Sequence, residues 1–269
     1  MNLEISTGKR IVQFIRHAYK RKRSGEDYFK FQRLQGLLII DTLKKYVNLN
    51  KPLRILDIGS GIGGYVYELS KLENLQIISL DKNPLSIAIK NYREIVQSSP
   101  KINLKNVLHK KAKVVFNSKN VAVIEGDITN APFENEAFDV IIASGVIEHV
   151  RDQKAMVYEC HRILKKGGIF FLSFPPFYSP TGGHSISPLH YLPGKLPFIL
   201  YRKMHVKDHE SFVYYGLYKT TLRSVKRLAR GKFRIIDINP RLFSFLKPLL
   251  KIPLFNEVIS HHVEFILTK

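Results

Sequence analysis

The 269-residue sequence predicts an α/β fold with a mostly parallel sheet whose two faces are covered by helices. Two observations carry this. From Lys51 onward, short β-branched runs alternate with stretches of helical periodicity, and the first run passes through a glycine-rich turn into the first helix. A hydrophobic content of 45% supplies enough apolar side chain for a sizeable core.

The elements follow in order. "PLRILDIGSGIGGYVYELSKL" reads as strand, turn and helix, with Tyr65, Leu69 and Leu72 at helical spacing. "LQIISLDKNPLSIAIKNYREIV" repeats the plan: a strand closes at Asp81, Pro84 stands where a helix begins, and Ile87, Ile89 and Ile95 fill its body. "VAVIEGD" and "FDVIIASG" are the third and fourth strands, followed by a helix over 152–164 that stops in "KKGG". "IFFLSF" is the fifth strand, ended stiffly by Pro175 and Pro176, which cannot donate to a ladder. The following "FYSPTGGH" would present Tyr178 and a flexible glycine turn as a substrate wall. Later strands are expected at "FRIIDIN" and "HHVEFILTK", and residues 98–119 read as a basic surface insertion.

Charge is the outlier of the composition. Lys and Arg number 43 against 22 Asp and Glu, a net +21 that draws a protein towards polyanions. Residues 1–51 hold 12 basic and 4 acidic side chains, and residues 195–251 hold 14 and 3, which leaves the middle nearly neutral. The single cysteine, Cys160, excludes an intramolecular disulfide framework and suits a reducing compartment, so the expected location is cytoplasmic. No apolar run reaches the roughly 18 residues that span a bilayer, and no signal-peptide layout opens the chain.

"DIGSGIGG" fits the dinucleotide fingerprint through Gly59, Gly61 and Gly64, and Asp81 lies near the offset of a ribose-binding acid. Asp57 changes the balance. A carboxylate at the strand tip would face the pyrophosphate of NAD but would attract a cationic ligand. S-adenosylmethionine, with an ammonium and a sulfonium and no phosphate, suits it better. The same acids at a strand edge could also be plain turn or cap residues, the open alternative for Asp139.

With "ILDIGSGIGGY", "ISLDKNP", "EGDI", "FDVIIASGVIEHV" and "ILKKGGIFFLSFP" in that order, the chain resembles the class I S-adenosylmethionine-dependent methyltransferases of type 11. The resemblance runs from about Leu53 to Leu172. It implies a Rossmann-like sheet of seven strands, mostly parallel, with helices on both faces and an antiparallel last strand. Asp57, Gly59, Ser60, Gly61 and Gly63 would approach the methionine moiety, Asp81 with Lys82 beside it the ribose, and Asp127 with Ile128 the adenine. Ser144, closing the fourth strand, completes the implied cofactor set. Gly64 replaces a larger family residue, which would loosen the loop.

Methyl transfer from a sulfonium asks the protein mainly to align the acceptor and exclude water, with a base needed only for acceptors that hold their proton tightly. His149, Tyr178, His184 and His190 are the acceptor-side candidates, although Glu148 and His149 would serve equally to shape their loop. No compact Cys, His and carboxylate set stands out, so no metal is expected. Residues 1–50 read as a basic helical extension, with Ile11, Phe14, Ile15, Ala18 and Tyr19 on one stripe: a lid or packing helix, an anionic-membrane contact or a phosphate-binding face. Residues 51–269 read as the methyltransferase domain, with insertions at 98–119 and 175–220 building the acceptor side. Mixed apolar and basic stretches there favour a small-molecule or lipid-like acceptor, such as an oxygen of a lipid or glycan, with peripheral contact to anionic membrane. RNA methylation, an NAD-dependent oxidoreductase and a silent cofactor-binding module are the alternatives, nucleic acid being permitted by charge alone.

Overall fold

The computed structural model describes residues 12–13, 24–84, 86–93, 101–109, 112–194, 196–204, 216–253, 255–259 and 261–269. The stripe expected from Ile11 to Tyr19 falls outside them apart from 12–13. Eight strands hydrogen-bond in the order β3-β4-β2-β1-β5-β6-β8-β7: β1 Leu53–Ile58, β2 Leu75–Asp81, β3 Lys113–Asn117, β4 Val121–Glu125, β5 Phe138–Ser144, β6 Leu164–Phe174, β7 Arg234–Pro240 and β8 Val263–Thr268. The helices are α1 Gly25–Leu43, α2 Gly64–Leu69, α3 Ser86–Arg93, α4 Gln153–Ile163, α5 Leu196–Met204, α6 Leu222–Ala229 and α7 Phe255–Val258. The chain forms two compact units, Met1–Ile142 with Arg162–Ile169, and Ala143–His161 with Phe170–Lys269; β5 and β6 contribute to both.

In the first unit β1 pairs in parallel with β2, Leu53 opposite Leu75 to Ile58 opposite Leu80, and β2 with β4, Ile77 opposite Val121 to Asp81 opposite Glu125. Ile55, Leu56, Ile77, Ile78, Val121 and Ile124 are fully buried, as strands covered on both faces must be. The register brings the carboxyl ends of β1, β2 and β4 to one edge, where open α/β sheets bind ligands. Hydrogen bonds from Gly59 N to Leu80 O (2.8 Å) and from Gly126 N to Asp81 O (2.9 Å) fasten that edge.

The sheet has one strand more than expected, because β3 lies within the stretch read as an insertion. It pairs antiparallel with β4; its first two residues are exposed and the other three partly buried. Lys113 on it pairs with Glu125 at 2.7 Å. Such an edge strand shows little apolar patterning, and its lysine guards it against further pairing.

α1 begins at the N-cap Ser24, whose hydroxyl accepts from Asp27 N at 3.1 Å, with Glu26 and Asp27 in the first turn favourable to the helix dipole. Its polar residues fasten α2: Gln32 Oε1 accepts from Gly64 N (3.1 Å), Gln35 Oε1 accepts from Tyr65 OH (2.9 Å), and Arg33 pairs with the buried Glu68 (2.5 Å). A Cβ on Gly64 would lie 2.4 Å from Gln32 Cβ and 2.8 Å from Arg33 N. Gly64 therefore does not loosen the loop; it admits α1 to the start of α2.

In the second unit β7 and β8 pair antiparallel, Arg234 opposite Thr268 to Pro240 opposite Val263. β6 ends at Phe174, directly before Pro175 and Pro176, as the prolines require. The "TGGH" turn is close-packed: a Cβ on Gly182 would meet Pro176 O at 2.1 Å, and one on Gly183 the His190 ring at 2.3 Å. These glycines serve close approach, not freedom. α6 is opened by a capping box of Thr221 and Ser224, and the Glu257 carboxylate of α7 accepts from Leu222 N (2.9 Å) and Arg223 N (3.1 Å). "KKGG" lies inside β6, not in a helix stop: Gly168 has no room for a Cβ, which would sit 2.9 Å from Asp139 O.

Candidate functional site

The turn after β1 depends on left-handed backbone. Gly59, Gly61 and Gly63 have φ of 70°, 54° and 88°, and Gly63 N closes the turn on Ser60 O at 2.8 Å. Asp81 at the tip of β2 accepts from Gly61 N (3.4 Å) and Asn83 N (2.9 Å), so the two strand ends share one polar rim. Ile128 is buried in the 3-10 turn that follows Asp127. Asp127 accepts from Thr129 N (2.9 Å) and pairs with Lys82 (2.8 Å). Burial alone would raise the Asp127 pKa, but the bonds from Lys82 and Thr129 outweigh it and hold the carboxyl below its ordinary value.

Asp57 stands apart from this rim of partnered acids. Its side chain is fully buried, and neither carboxylate oxygen has a hydrogen-bond partner among the described residues. Burial, and then the charge of Asp81, push its pKa well up. A buried carboxylate without a partner is costly, and it is the complement of a ligand that brings its own cation. S-adenosylmethionine fits this test; a pyrophosphate dianion does not.

The second unit carries two further groupings. Arg241, just beyond β7 and buried, donates from Nε to Glu264 Oε1 (2.9 Å) and from Nη2 to the hydroxyls of Ser144 (3.0 Å) and Ser173. Ser144, expected at the cofactor, is thus a partner of Arg241, and its hydroxyl is already engaged there. Arg241 itself carries no sequence signal, being one basic residue in a basic segment.

The other grouping follows β5. Gly145 N donates to Ser173 O (2.8 Å), and the 3-10 turn Ile147–His149 is held by the segment after residue 215. Tyr218 N donates to Glu148 O (2.7 Å), His149 Nδ1 lies 2.7 Å from Gly216 O, and Gln153 Nε2 reaches Thr220 Oγ1 (2.7 Å). Phe177 N donates to Thr220 O (2.8 Å), so the same segment also ties down the loop beyond β6. This brings His184 to Glu148, Nε2 to Oε1 at 3.5 Å, and edge-on to His149 with ring centroids 5.0 Å apart. Glu148 is buried at 2% exposure. No window of sequence contains this set, because Glu148 and His184 are 36 positions apart and meet only through the fold.

Tyr178 is not a member of this set. Half-exposed, it packs edge-on against Phe177 under Lys219 Nζ, which lies 4.6 Å from its ring centre. His190 is buried beneath Gly183, and burial lowers its pKa. Asp139 is structural: it accepts from Arg54 N (2.8 Å) and pairs with Lys165 (2.7 Å).

Residues 56–172 match the model of a methyltransferase domain family, type 11. Among proteins of known sequence, the chain is 26% identical over 124 residues to the sterol 24-C-methyltransferase of Candida albicans, covering 46% of this chain and 28% of that protein. It is 31% identical over 126 residues to the arsenite methyltransferase of Mus musculus, covering 45% and 30%. An uncharacterized methyltransferase of Mycolicibacterium vanbaalenii is 27% identical over 140 residues, 52% of this chain and 55% of that protein. The chain thus spans between about a quarter and about half the length of these relatives. Among solved structures, an S-adenosylmethionine-dependent methyltransferase of Mesorhizobium loti superposes with a TM-score of 0.54 at 13% identity, covering 85% of this chain and 96% of that one. The [4+2]-cyclase SpnF gives 0.53 at 15%, covering 86% and 79%. A cyclase on this fold shows that the architecture alone does not name a reaction. Family match, glycine turn and unpartnered Asp57 agree where the fold is silent: residues 56–172 are a class I S-adenosylmethionine-dependent methyltransferase domain, with S-adenosylmethionine as its methyl donor.

Proposed function

We propose that the protein transfers a methyl group to an oxygen of a lipid-like small molecule. The observation that carries the acceptor class is an apolar, basic surface on the second unit. Phe245, Phe255 and Val258 are 74%, 60% and 51% exposed, with Ile252 beside them and Lys247 and Lys251 exposed in the same stretch. Soluble surfaces seldom leave such residues together, and lysine among them suits an anionic amphiphile or an anionic membrane. Among the described residues no helix is long and apolar enough to cross a membrane, so any such contact would be peripheral. The sterol acceptor named for one relative supports a lipid acceptor. The arsenite named for another has less support: the lone thiol, Cys160, is buried and its pKa is pushed up, so no thiolate is offered to a soft metalloid.

When bound, S-adenosylmethionine supplies an electrophilic methyl group that leaves a neutral thioether. The residues have separate duties around it. Asp57 offers a buried carboxylate to the ammonium, the turn Gly59–Gly63 admits the methionine portion closely, and Asp81 accepts from ribose hydroxyls. Lys82 orients Asp127 at the adenine side, and Ile128 gives the ring an apolar face. Acceptor-side duties fall to Glu148, His149 and His184, which share one cluster, and not to Tyr178.

The test is incubation of the full chain with methyl-labelled cofactor and fractionated lipid, RNA, protein and polar-metabolite extracts. Label in the lipid fraction is expected. Label confined to RNA or to polar metabolites would overturn the acceptor class, and tight cofactor binding without label in any fraction would favour a silent binding module.

A further inference from the structure

Glu148, His149 and His184 form the most chemically loaded cluster outside the cofactor turn. Each offers a ligand atom, and the three atoms lie within 4.8 Å of one another. Both Glu148 oxygens are buried without a hydrogen-bond partner, and so is His184 Nε2. A buried carboxylate facing an imidazole nitrogen that neither bonds is an unfinished arrangement, since a simple acid and histidine pair at this depth would close to a hydrogen bond.

The tautomer of His149 points the same way. Gly216 O can only accept, so at 2.7 Å Nδ1 donates to it and Nε2 is left with its lone pair. A backbone carbonyl that fixes one ring nitrogen is the usual orienting partner of a metal-binding histidine. His184 is also held unusually: its φ is +50°, a conformation that non-glycine residues adopt at a cost, and the Gly183 close approach to His190 sits beside it. Gly145, at φ +70°, has its Cβ position in ordinary contact with Glu148 Oε1, at 3.7 Å.

From this geometry we propose that Glu148, His149 and His184 hold a divalent transition cation. Two imidazoles and one carboxylate satisfy the ligand preference of zinc, iron(II) or manganese-type ions and leave coordination positions open. Calcium and magnesium, which take oxygen ligands, are disfavoured. An open position would take a hydroxyl oxygen and lower its pKa, the proton passing to solvent water. Use of that position by a methyl acceptor rests on the oxygen-acceptor reading above; the cation site does not.

The experiment titrates chelator-stripped full-length protein with Zn²⁺ by calorimetry and with Co²⁺ by visible absorption. One ion per chain is expected, with a Co²⁺ spectrum of mixed nitrogen and oxygen ligation. Glu148→Gln and His184→Asn should each weaken binding by at least about 100-fold, beyond the 10- to 100-fold that loss of an orienting partner costs. Asparagine tolerates the left-handed backbone at 184, and an unchanged circular dichroism spectrum with a cooperative urea transition shows that each variant is folded. His109→Ala, at an exposed histidine, should leave binding intact. Absence of stoichiometric binding, or binding that survives both site variants, would overturn the proposal. Because the titration needs neither cofactor nor acceptor, failure of the lipid reading is seen separately, in the labelled-extract assay.

Discussion

Asp57→Asn should move stability and cofactor binding in opposite directions. In the folded protein Asp57 has a raised pKa, from burial first and from the charge of Asp81 second, and no hydrogen bond to offset either. The folded state therefore holds a proton that the unfolded chain releases near its ordinary pKa of about 4. The associated penalty is absent below about pH 4, grows as pH rises towards the raised value, and persists above it. Asparagine keeps the shape and has no such limb. The ligand-free variant should be more stable than wild type at neutral pH by about 0.5–2 kcal/mol, the range for relieving a functional-site strain, and the two should converge below about pH 4. Cofactor binding should fall, because a charge-assisted hydrogen bond to a buried carboxylate contributes about 1.5–3 kcal/mol, or roughly 10- to 150-fold in Kd. Urea denaturation across pH gives the first quantity and calorimetry with S-adenosylhomocysteine the second. A variant that binds the cofactor as wild type does, or whose ligand-free form loses stability at pH 7, would refute the role of Asp57 as a counter-charge waiting for its ligand.

Asp81→Ala should weaken cofactor binding by removing the ribose acceptor and the brace on Gly61 N, and an unchanged dissociation constant would dismiss that assignment. Gly64→Ala ordinarily gains helix propensity, yet here its Cβ meets Gln32 Cβ and Arg33 N, so a loss of about 1–3 kcal/mol in urea is expected. Truncating Gln32 to Ala should not restore it, since the clash is with Cβ and backbone; a stabilised Gly64→Ala would show that α1 does not press on the turn. Gly182→Ala should destabilise by at least as much, because its neighbours are the carbonyls of Pro176 and Phe177, and thermal melting at wild-type temperature would contradict the close packing of that turn.

The strands β1, β2, β4, β5 and β6 were legible because a strand buried on both faces must be apolar along its length, and the glycine turn because its backbone admits few residues. Asp57 stands out in the sequence for a different reason. Its position at the strand tip sets it against phosphate chemistry, and the structure adds that its oxygens lack partners. β3 was hidden by the same rule that revealed the others, since an exposed edge strand has no face to bury. "KKGG" misled because glycines that stop helices and glycines that admit a neighbouring backbone look identical in sequence; only the 2.9 Å approach to Asp139 O separates them.

The side chains of the second unit show where local reading ends. Arg241 belongs to a segment rich in lysine and arginine, yet among the described basic residues there it alone is buried, held by Glu264, Ser144 and Ser173 from three different strands. Its role depends on β5, β6 and β8 together, and no window of sequence contains them. The same holds for Glu148 and His184. A histidine after two glycines reads as a loop residue, and a glutamate before a histidine reads as part of a turn. Only when residues 216–220 bond to both the loop after β5 and the loop after β6 do the two face each other, and the unsatisfied oxygens of Glu148 then become a chemical demand. A further test follows from that linkage. Thr220→Val removes the hydroxyl that accepts from Gln153 without adding bulk, and it leaves the backbone bond to Phe177 in place. If the segment sets the cluster, this variant should weaken Co²⁺ binding by about 10- to 100-fold, as loss of an orienting contact does, while cofactor affinity in the first unit stays unchanged. Equal loss of both would mean that Thr220 supports the fold as a whole and not the cluster.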